Sequence, residues 1–205
     1  MSHTTIYLVR HGFVHNPDAV MYGRLPRFRL SDEGQVQARA AGKALSDKPL
    51  AAIYSSPLLR ARQTAQAIQV AHESLRVQLS SLLLEINVPH DGTKINVMEA
   101  RNWDLYSGNE WPYERPEHVA ERARQFFQRM QKQHQGQQVV GITHGDVLAF
   151  ATLWAKGETP AWQRKAQMAR FGFADNYPQT ASITTFTFHS DANDELPEVS
   201  YLRPY

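Results

Sequence analysis

The sequence predicts an α/β fold, a three-layer α/β/α sandwich in which a mostly parallel central sheet lies between two layers of helices. Three apolar runs, at residues 4–9, 51–55 and 138–142, are typical of short buried strands, and each is followed by a segment with helical spacing. Repeated strand and helix units of this kind form parallel sheets with helices on both faces. Two alternating, Thr-rich runs at 181–188 and 199–202 predict late strands at the edge of the sheet.

Two strand and helix units occupy the first part of the chain. The strand at 4–9 leads to a helix at 31–46, where a serine supplies the N-cap and acidic residues lie in the first turn. The strand at 51–55 leads to a helix at 58–71, and a further strand is predicted at 75–79.

The second part begins with a region at 82–115 that has mixed polarity and weak periodicity, and we interpret it as an irregular insertion. An apolar stripe then predicts a helix at 117–134, with a proline suited to its first turn. After the strand at 138–142 comes a helix at 145–156 that is apolar on most sides, which predicts central burial. Another helix is expected at 160–169.

The composition fits one domain that covers residues 1–205. The chain is 42% hydrophobic, which is enough for one substantial core. Its 22 Lys and Arg against 20 Asp and Glu give a net charge of only +2, so we expect neither a nucleic acid nor a membrane as partner. No apolar run approaches the roughly 18 residues of a membrane helix, and the start lacks a secretion pattern, so a cytoplasmic protein is expected. The sequence leaves the oligomeric state open.

The chain contains no cysteine. This removes disulfides, thiolate metal sites and every mechanism with a cysteine nucleophile. The glycine-rich signatures of nucleoside triphosphate and dinucleotide binding are also absent from the sequence. Any phosphate chemistry must therefore use nitrogen or oxygen groups.

Two histidines, each followed by glycine, stand where apolar runs end. His11 follows the first predicted strand and His144 follows the strand at 138–142. Because ligands of open α/β sheets bind at the carboxyl ends of the strands, we expect both imidazoles at one crevice. Arg10 lies at the same strand end as His11, and Arg60 follows the second strand. These two arginines and two histidines predict a pocket for a phosphoryl group.

A phosphate monoester repels nucleophiles, so a catalyst must neutralise its oxygens and leave one face open for in-line attack. Arginine donates bidentate hydrogen bonds and stays charged. Histidine, with an ordinary pKa of about 6.5, is partly neutral near pH 7, and attack by its ring nitrogen gives a phosphohistidine that water hydrolyses. Because arginines and a second imidazole supply the positive charge, no metal ion and no other cofactor is expected.

Glu85 is the candidate proton donor for the leaving group. It follows three leucines, and apolar surroundings are expected to raise the pKa of its carboxyl group. The same carboxylate would then take a proton from the hydrolytic water. Asp91 and Glu99 are the alternative acids.

These residues resemble the signatures of the histidine phosphatase superfamily, which includes the cofactor-dependent phosphoglycerate mutases. The resemblance covers about residues 4–150 and preserves the order of the motifs. The matching stretches are Leu-Val-Arg-His-Gly at 8–12 with Asn16, Tyr-Gly-Arg at 22–24, Leu-Ser-Asp-Glu-Gly at 30–34, the Ser-Ser-Pro-Leu-Leu-Arg-Ala-Arg-Gln-Thr-Ala run at 55–65 and Thr-His-Gly at 143–145.

The resemblance implies a phosphoglycerate mutase-like fold with a mixed sheet flanked by helices on both faces. It also implies roles for the residues: His11 as the phosphorylated nucleophile, Glu85 as proton donor, and Arg10, Arg60 and His144 as phosphate ligands assisted by Asn16. The chain departs from the family pattern at two places. Phe13 stands where many members carry an acidic residue or glutamine, and the run after Glu85 lacks the usual Gly-x-Trp-Glu-Gly.

Several basic residues near the motifs allow two interpretations. Gly23 and Arg24 are candidate substrate contacts. Together with Arg24, the neighbouring Arg27 and Arg29 either contact a second anionic group of the substrate or form a solvated loop. Arg62, close to Arg60, is interpreted as a solvated neighbour.

Three further features of the sequence allow a plainer structural role beside a functional one. His15 lies four residues after His11, which on a helix would suit zinc, but Gly12 and the preceding strand make a helix there improbable, so no metal site is predicted. The aromatic residues at 103–113 either cover the pocket or pack on the core. Asp146 is expected to cap the helix that follows it.

The residues lead to one main functional hypothesis, a metal-independent phosphatase that hydrolyses a small phosphorylated metabolite through a phosphohistidine on His11. A phosphomutase of the phosphoglycerate mutase type is the alternative enzyme, and Phe13 favours hydrolysis over it. A non-catalytic sensor that binds a phosphorylated ligand or a protein through the same pocket is the alternative of a different class. Spacing alone does not identify the substrate.

Overall fold

The computed structural model describes residues 3–190, 192 and 195–205, and these residues form a three-layer α/β/α sandwich, as predicted. The strands are β1 (Thr4–Arg10), β2 (Leu50–Ser55), β3 (Val77–Leu79), β4 (Gln138–Thr143), β5 (Ile183–Phe188) and β6 (Glu198–Leu202). The helices are α1 (Asp32–Leu45), α2 (Leu59–Gln69), α3 (Ile95–Ala100), α4 (Pro116–Gln133) and α5 (Gly145–Ala155).

The sheet is mixed, and within the described residues its order is β3-β2-β4-β1-β5-β6. Strands β3, β2, β4 and β1 are parallel, whereas β5 is antiparallel to both β1 and β6. The two central strands end in register, because Arg10 of β1 pairs with Thr143 of β4. Their carboxyl ends therefore deliver the residues that follow them to one edge of the sheet.

Each face of the sheet has its own apolar layer. On one face α4 and α5 pack through residues such as Phe126, Phe127 and Phe150. On the other face α1 and α2 pack through Ala41 and Ile68. The predicted central burial of α5 is confirmed, since every residue of this helix except Trp154 is buried.

The boundaries of α1 and α4 follow from local chemistry. The Oγ of Ser31 accepts a hydrogen bond from the Gly34 N–H at 3.0 Å, which begins α1 where the sequence predicts it. Pro116 opens α4, because a proline in the first turn leaves no helical hydrogen bond unmade. No helix of the described residues is long and apolar enough to cross a membrane.

Two predicted elements differ from the structure. Strand β5 is not at the sheet edge but lies between β1 and β6, and its Ile183, Phe186 and Phe188 are buried. The helix expected at 160–169 is replaced by two short 3₁₀ turns, Trp162–Arg164 and Met168–Phe171. Tertiary contacts override the helical pattern there, because the Lys165 side chain is buried and the N–H of Met168 donates to the carbonyl of Asn176 at 2.9 Å.

The region at 82–115 is irregular for most of its length, and α3 forms within it. A 3₁₀ turn, Ser81–Leu83, leads into it directly from β3. This connection carries Glu85 from the edge of the sheet toward the carboxyl ends of the central strands.

Candidate active site

His11 and His144 follow the ends of β1 and β4 and lie side by side. The backbone N–H of His11 donates to the carbonyl of Thr143 at 3.0 Å, which continues the ladder between the two strands. The centroids of the two imidazole rings are 5.1 Å apart. The structure therefore brings together two histidines that are separated by more than half of the chain.

The hydrogen bonds of His11 define which ring nitrogen is available. Its Nδ1 lies 2.8 Å from the carbonyl oxygen of Gly12 and so must carry the proton. The Nε2 then holds a lone pair, and it accepts the Nε–H of Arg60 at 3.1 Å. Burial, together with the charges of Arg60 and other nearby cations, lowers the pKa of His11 well below its ordinary value. His11 is thus a neutral imidazole with Nε2 facing the site.

Arg60 lies in the first turn of α2 and is only 1% exposed. Its Nη2 donates to the carbonyl of Gly23 at 2.7 Å. The same nitrogen lies 3.4 Å from Oε2 of Glu85 and 3.2 Å from Nδ1 of His144. The ring of Tyr22 covers the guanidinium, with 4.7 Å between the guanidinium carbon and the ring centroid. Arg60 is therefore the central cation of the cluster, whereas Arg62 is exposed, as the sequence suggested.

His144 is held from both sides of its ring. Its Nε2 is 2.8 Å from the Oγ of Ser56, and its Nδ1 is 3.3 Å from Oε2 of Glu85. Burial lowers the pKa of His144 to about 4, although the Glu85 carboxylate opposes this shift. Sequence reasoning did not single out Ser56, and the available signal was its place beside the end of β2 in the Ser-Ser-Pro stretch.

Glu85 belongs to the cluster, but the predicted raised pKa is wrong for the free protein. Burial opposes the charge of Glu85, yet His144, Arg60 and the N–H of Ile86 together hold its carboxyl pKa well below the usual value. The N–H of Ile86 donates to Oε1 at 3.0 Å. The apolar run before Glu85 buries the carboxylate, but the Arg60 charge and the hydrogen bonds to the carboxylate outweigh the cost of burial.

The alternative acids lie elsewhere. Asp91 is at the surface, where its Oδ2 accepts the N–H of Arg24 at 2.9 Å. Glu99 is exposed on α3. Of the three candidates, Glu85 is the one that contacts both Arg60 and His144.

The segment that contains Gly23 and Arg24 closes over the cluster. Gly23 has a positive φ of 32°, and a Cβ at this position would lie 1.7 Å from the Oδ1 of Asp91. The Nε of Arg24 donates to the carbonyl of Glu85 at 2.8 Å, and its Nη2 forms an ion pair of 3.1 Å with Glu114. In the free protein Arg24 therefore holds the segment closed.

The other predicted residues occupy the rim or the loops. Asn16 bonds the backbone N–H and carbonyl of Val20 with its side-chain amide and so shapes its own loop. Arg27 and Arg29 are exposed, which fits the solvated-loop interpretation. The Nη1 of Arg10 donates to the carbonyl of Pro178 at 2.7 Å.

A possible set of metal ligands coincides with the catalytic candidates. In the described part of the chain, His11, Glu85 and His144 offer ligand atoms within 4.8 Å of one another. The guanidinium of Arg60 bonds to all three of them. A metal ion would have to displace this cation, so the residues fit an arginine better than a metal. His15 is exposed and does not belong to the group.

Two expectations about the surroundings are corrected or refined. Asp146 does not cap α5, whose N-cap position is His144, because the Asp146 carboxylate is buried and accepts hydrogen bonds from Tyr106 and other side chains. Of the aromatic residues at 103–113, Tyr106 is buried in the core, whereas Trp111 is 93% exposed.

The chain matches the model of the histidine phosphatase superfamily (branch 1) over residues 6–194. Uncharacterized proteins from two strains of Mycobacterium tuberculosis are 46% identical to it over 82 residues, which is 40% of this chain and 40% of each relative. The chain thus matches less than half of the length of these relatives. Phosphoglycerate mutase-like protein 4 of Arabidopsis thaliana is 28% identical over 163 residues, covering 72% of this chain and 69% of that protein.

Among solved structures, a mycobacterial glucosyl-3-phosphoglycerate phosphatase superposes with a TM-score of 0.78 at 21% identity. The superposition covers 98% of this chain and 99% of the other. The two proteins therefore share a fold.

Proposed function

This chain belongs to the histidine phosphatase superfamily, and from that premise we propose that it is a phosphoric monoester hydrolase, which hydrolyses a small phosphorylated metabolite without a metal ion through a phosphohistidine on His11. One observation carries the proposal. A neutral His11 directs the lone pair of Nε2 at the Arg60 guanidinium, within a cluster that also holds His144 and Glu85.

In the first step the Nε2 of His11 attacks phosphorus, a bond forms between nitrogen and phosphorus, and the ester bond from phosphorus to oxygen breaks. Arg10, Arg60 and His144 hold the non-bridging oxygens, and their hydrogen bonds strengthen as negative charge develops in the transition state. The leaving oxygen takes its proton from Glu85.

Glu85 is ionised in the free protein, so it must gain this proton when substrate binds. A phosphate monoester has a second pKa of about 6, so a fraction arrives as the monoanion. Transfer of its proton to Glu85 leaves a bound dianion beside a neutral acid, and it removes the repulsion between the bound monoanion and the Glu85 carboxylate. In the second step the Glu85 carboxylate takes a proton from water, the water oxygen attacks phosphorus, and the bond to His11 breaks.

Substrate entry requires the segment at 22–24 to move. His11 and Arg60 are each 1% exposed, and the Nη2 of Arg60 already donates a hydrogen bond to the Gly23 carbonyl. A phosphate oxygen can replace this carbonyl as the acceptor. Movement of the segment also shifts the Tyr22 ring from its place over the guanidinium.

The proposal is tested with p-nitrophenyl phosphate. The wild-type protein should release phosphate at the same rate with and without a chelator, and His11→Ala should lower kcat/KM by roughly 10³-fold or more. His15→Ala, an exposed histidine on the same loop, is the matched control and should keep its activity. Turnover that needs a divalent metal, or turnover that survives in His11→Ala, would contradict the mechanism.

The intermediate can be trapped separately. Brief incubation with a ³²P-labelled monoester, followed by denaturation in alkali, should leave label on the wild-type protein that is released by acid, as expected of phosphohistidine. His11→Ala should carry none. Stable label on a serine or threonine would contradict the assignment of His11 as nucleophile.

A phosphomutase is the second candidate, because the closed site shields His11 from water. A mutase needs such shielding to return the phosphoryl group to its substrate. Incubation with a phosphorylated glycerate distinguishes the two activities: phosphate release faster than isomerisation supports a phosphatase, and the reverse supports a mutase. A panel of phosphorylated metabolites then identifies the substrate.

A further inference from the structure

A buried polar network lies beside the active site and takes no part in the proposed chemistry. Its centre is Asp146, which is 5% exposed and stands in the first turn of α5, two residues after His144. Its Oδ2 accepts the hydroxyl of Tyr106 at 2.6 Å and the ammonium of Lys165 at 2.9 Å. Its Oδ1 accepts the hydroxyl of Tyr177 at 2.5 Å. The carboxylate therefore binds the residues of two distant segments to the helix that follows His144.

Tyr177 connects this network to Arg10. The guanidinium carbon of Arg10 lies 5.3 Å from the centroid of the Tyr177 ring. The adjacent Pro178 accepts the Nη1–H of Arg10 through its carbonyl at 2.7 Å. The ring of Tyr177 and the carbonyl of Pro178, two consecutive residues, thus both contact the same guanidinium, which restricts its rotation.

One donor of the held guanidinium is unused. The Nε of Arg10 is buried and has no hydrogen-bond partner. A buried N–H donor without an acceptor is costly, and such donors in native proteins call for an explanation. A phosphate oxygen at the site would satisfy it.

The sequence at position 145 allows Tyr177 to reach this place. A Cβ on Gly145 would lie 2.3 Å from the Tyr177 hydroxyl oxygen. The missing side chain lets the phenol cross the start of α5 and reach Asp146. Burial and the Asp146 charge raise the pKa of Tyr177 well above its ordinary value, so the hydroxyl stays protonated and donates.

We propose that Tyr177 is a positioning residue for Arg10, and that Asp146 holds the Tyr177 ring in place. Arg10 then meets the phosphoryl group in a fixed orientation, with Nε–H directed at an oxygen. The role rests on the proposed function, because it needs an anion to be bound. It assigns to the segment at 165–178 a part in phosphate binding, although its residues lie outside the motifs of the sequence.

The test measures binding of inorganic orthophosphate by calorimetry and turnover of p-nitrophenyl phosphate, together with the Tm of each variant. Tyr177→Phe removes the bond to Asp146 and keeps the ring, and Tyr177→Leu removes the ring as well. Loss of the ring should weaken phosphate binding by about tenfold, the range of a desolvated cation–π contact, and Tyr177→Phe should give a smaller loss. Both should lower kcat/KM at least in proportion.

Tyr54→Phe is the matched control. Its hydroxyl is hydrogen-bonded to the Nε2 of His134 at 3.0 Å, and its ring packs against Phe126 at a centroid distance of 5.8 Å. Neither partner belongs to the active site or to the segment at 165–178, so Tyr54→Phe should lower the Tm and leave phosphate binding unchanged. Equal phosphate affinity of the wild type and the Tyr177 variants, or an equal loss in Tyr54→Phe, would overturn the positioning role.

The failure of the role and that of the proposed function can be told apart. Wild-type protein that turns over substrate, with unaltered phosphate binding in Tyr177→Leu, refutes the role alone. Wild-type protein that neither binds orthophosphate nor hydrolyses the ester refutes the proposed function, and the positioning role with it. If Tyr177→Leu does not fold, the comparison of Tyr177→Phe with Tyr54→Phe decides.

Discussion

Arg60 donates its Nε–H to the Nε2 of His11 across 3.1 Å. The main cation of the site thus lies on the atom that we propose attacks phosphorus, and burial together with this charge lowers the pKa of His11, which keeps the ring unprotonated in the free protein. When a phosphoryl group enters, the guanidinium can transfer its hydrogen bonds to phosphate oxygens, which frees the lone pair of Nε2. In the proposed mechanism the same arginine therefore covers the nucleophile before binding and neutralises the substrate afterwards.

Arg60→Lys should lower kcat/KM for a phosphate monoester by about 100-fold or more. The guanidinium uses Nε toward His11 and Nη2 toward Gly23 and Glu85, and a single ammonium cannot reproduce two separated donors. Steady-state kinetics check this, with the exposed Arg62→Lys as control. Activity of Arg60→Lys within threefold of the wild type would show that charge alone is sufficient.

Glu85→Gln should show an effect that depends on the leaving group. Glutamine keeps the shape of the side chain and cannot deliver a proton, so an alkyl phosphate should lose roughly 10²- to 10³-fold in kcat/KM. p-Nitrophenyl phosphate, whose leaving group departs readily as an anion, should lose about tenfold less. An equal loss with both esters would mean that Glu85 acts through structure rather than proton transfer, and Glu99→Gln is the control.

The buried histidines should make the protein less stable as the pH falls from 7.5 to 5. The pKa of His11 and His144 is lowered in the folded state, to about 4 for His144, so below an unfolded pKa of about 6.5 the unfolded chain binds more protons. The stability that the folded protein gains from these neutral histidines is fully present above that pH, and it is lost as the pH falls toward the folded pKa. The loss for His144 is on the order of 3 kcal/mol across the whole window.

Urea unfolding at several pH values measures this loss, and His144→Gln should lose less stability than the wild type over the same range. Glu85 does not obscure the result above pH 4.5, because its pKa is lowered and its own contribution disappears only in stronger acid. A wild-type midpoint that stays constant between pH 7.5 and 5 would show that these imidazoles are not buried as neutral rings.

Gly34→Ala should destabilise the protein by about 2 kcal/mol or more. A Cβ on Gly34 would lie 1.9 Å from the carbonyl oxygen of Phe13. Because this oxygen belongs to the backbone, the clash cannot be relieved by a change of side-chain rotamer. Since Phe13 is close to His11, activity should fall as well. Thermal unfolding and kinetics check both effects, and the exposed Gln35→Ala on the same helix should leave them unchanged.

The sequence was sufficient to predict how the strands bring His11, His144 and Arg60 to one edge of the sheet, because that placement depends on chain order and strand ends. It could not predict the ionisation of Glu85, which depends on the cations that face it. The sequence also could not predict that Asp146 accepts hydrogen bonds in a buried network. Its partner Lys165 lies in a segment where tertiary contacts override the helical pattern.

Strand β1, which His11 follows directly, pairs with β4 in parallel and with β5 in antiparallel orientation. Both partners lie in the last third of the chain. During synthesis from the amino terminus, β1 emerges before both partners and therefore stays unpaired until β4, which ends at Thr143, has also been made. Such distant pairings slow folding and prolong the exposure of apolar segments. The candidate phosphate pocket can thus form only after β4 has been made, and a nascent chain that stops short of β4 lacks it altogether.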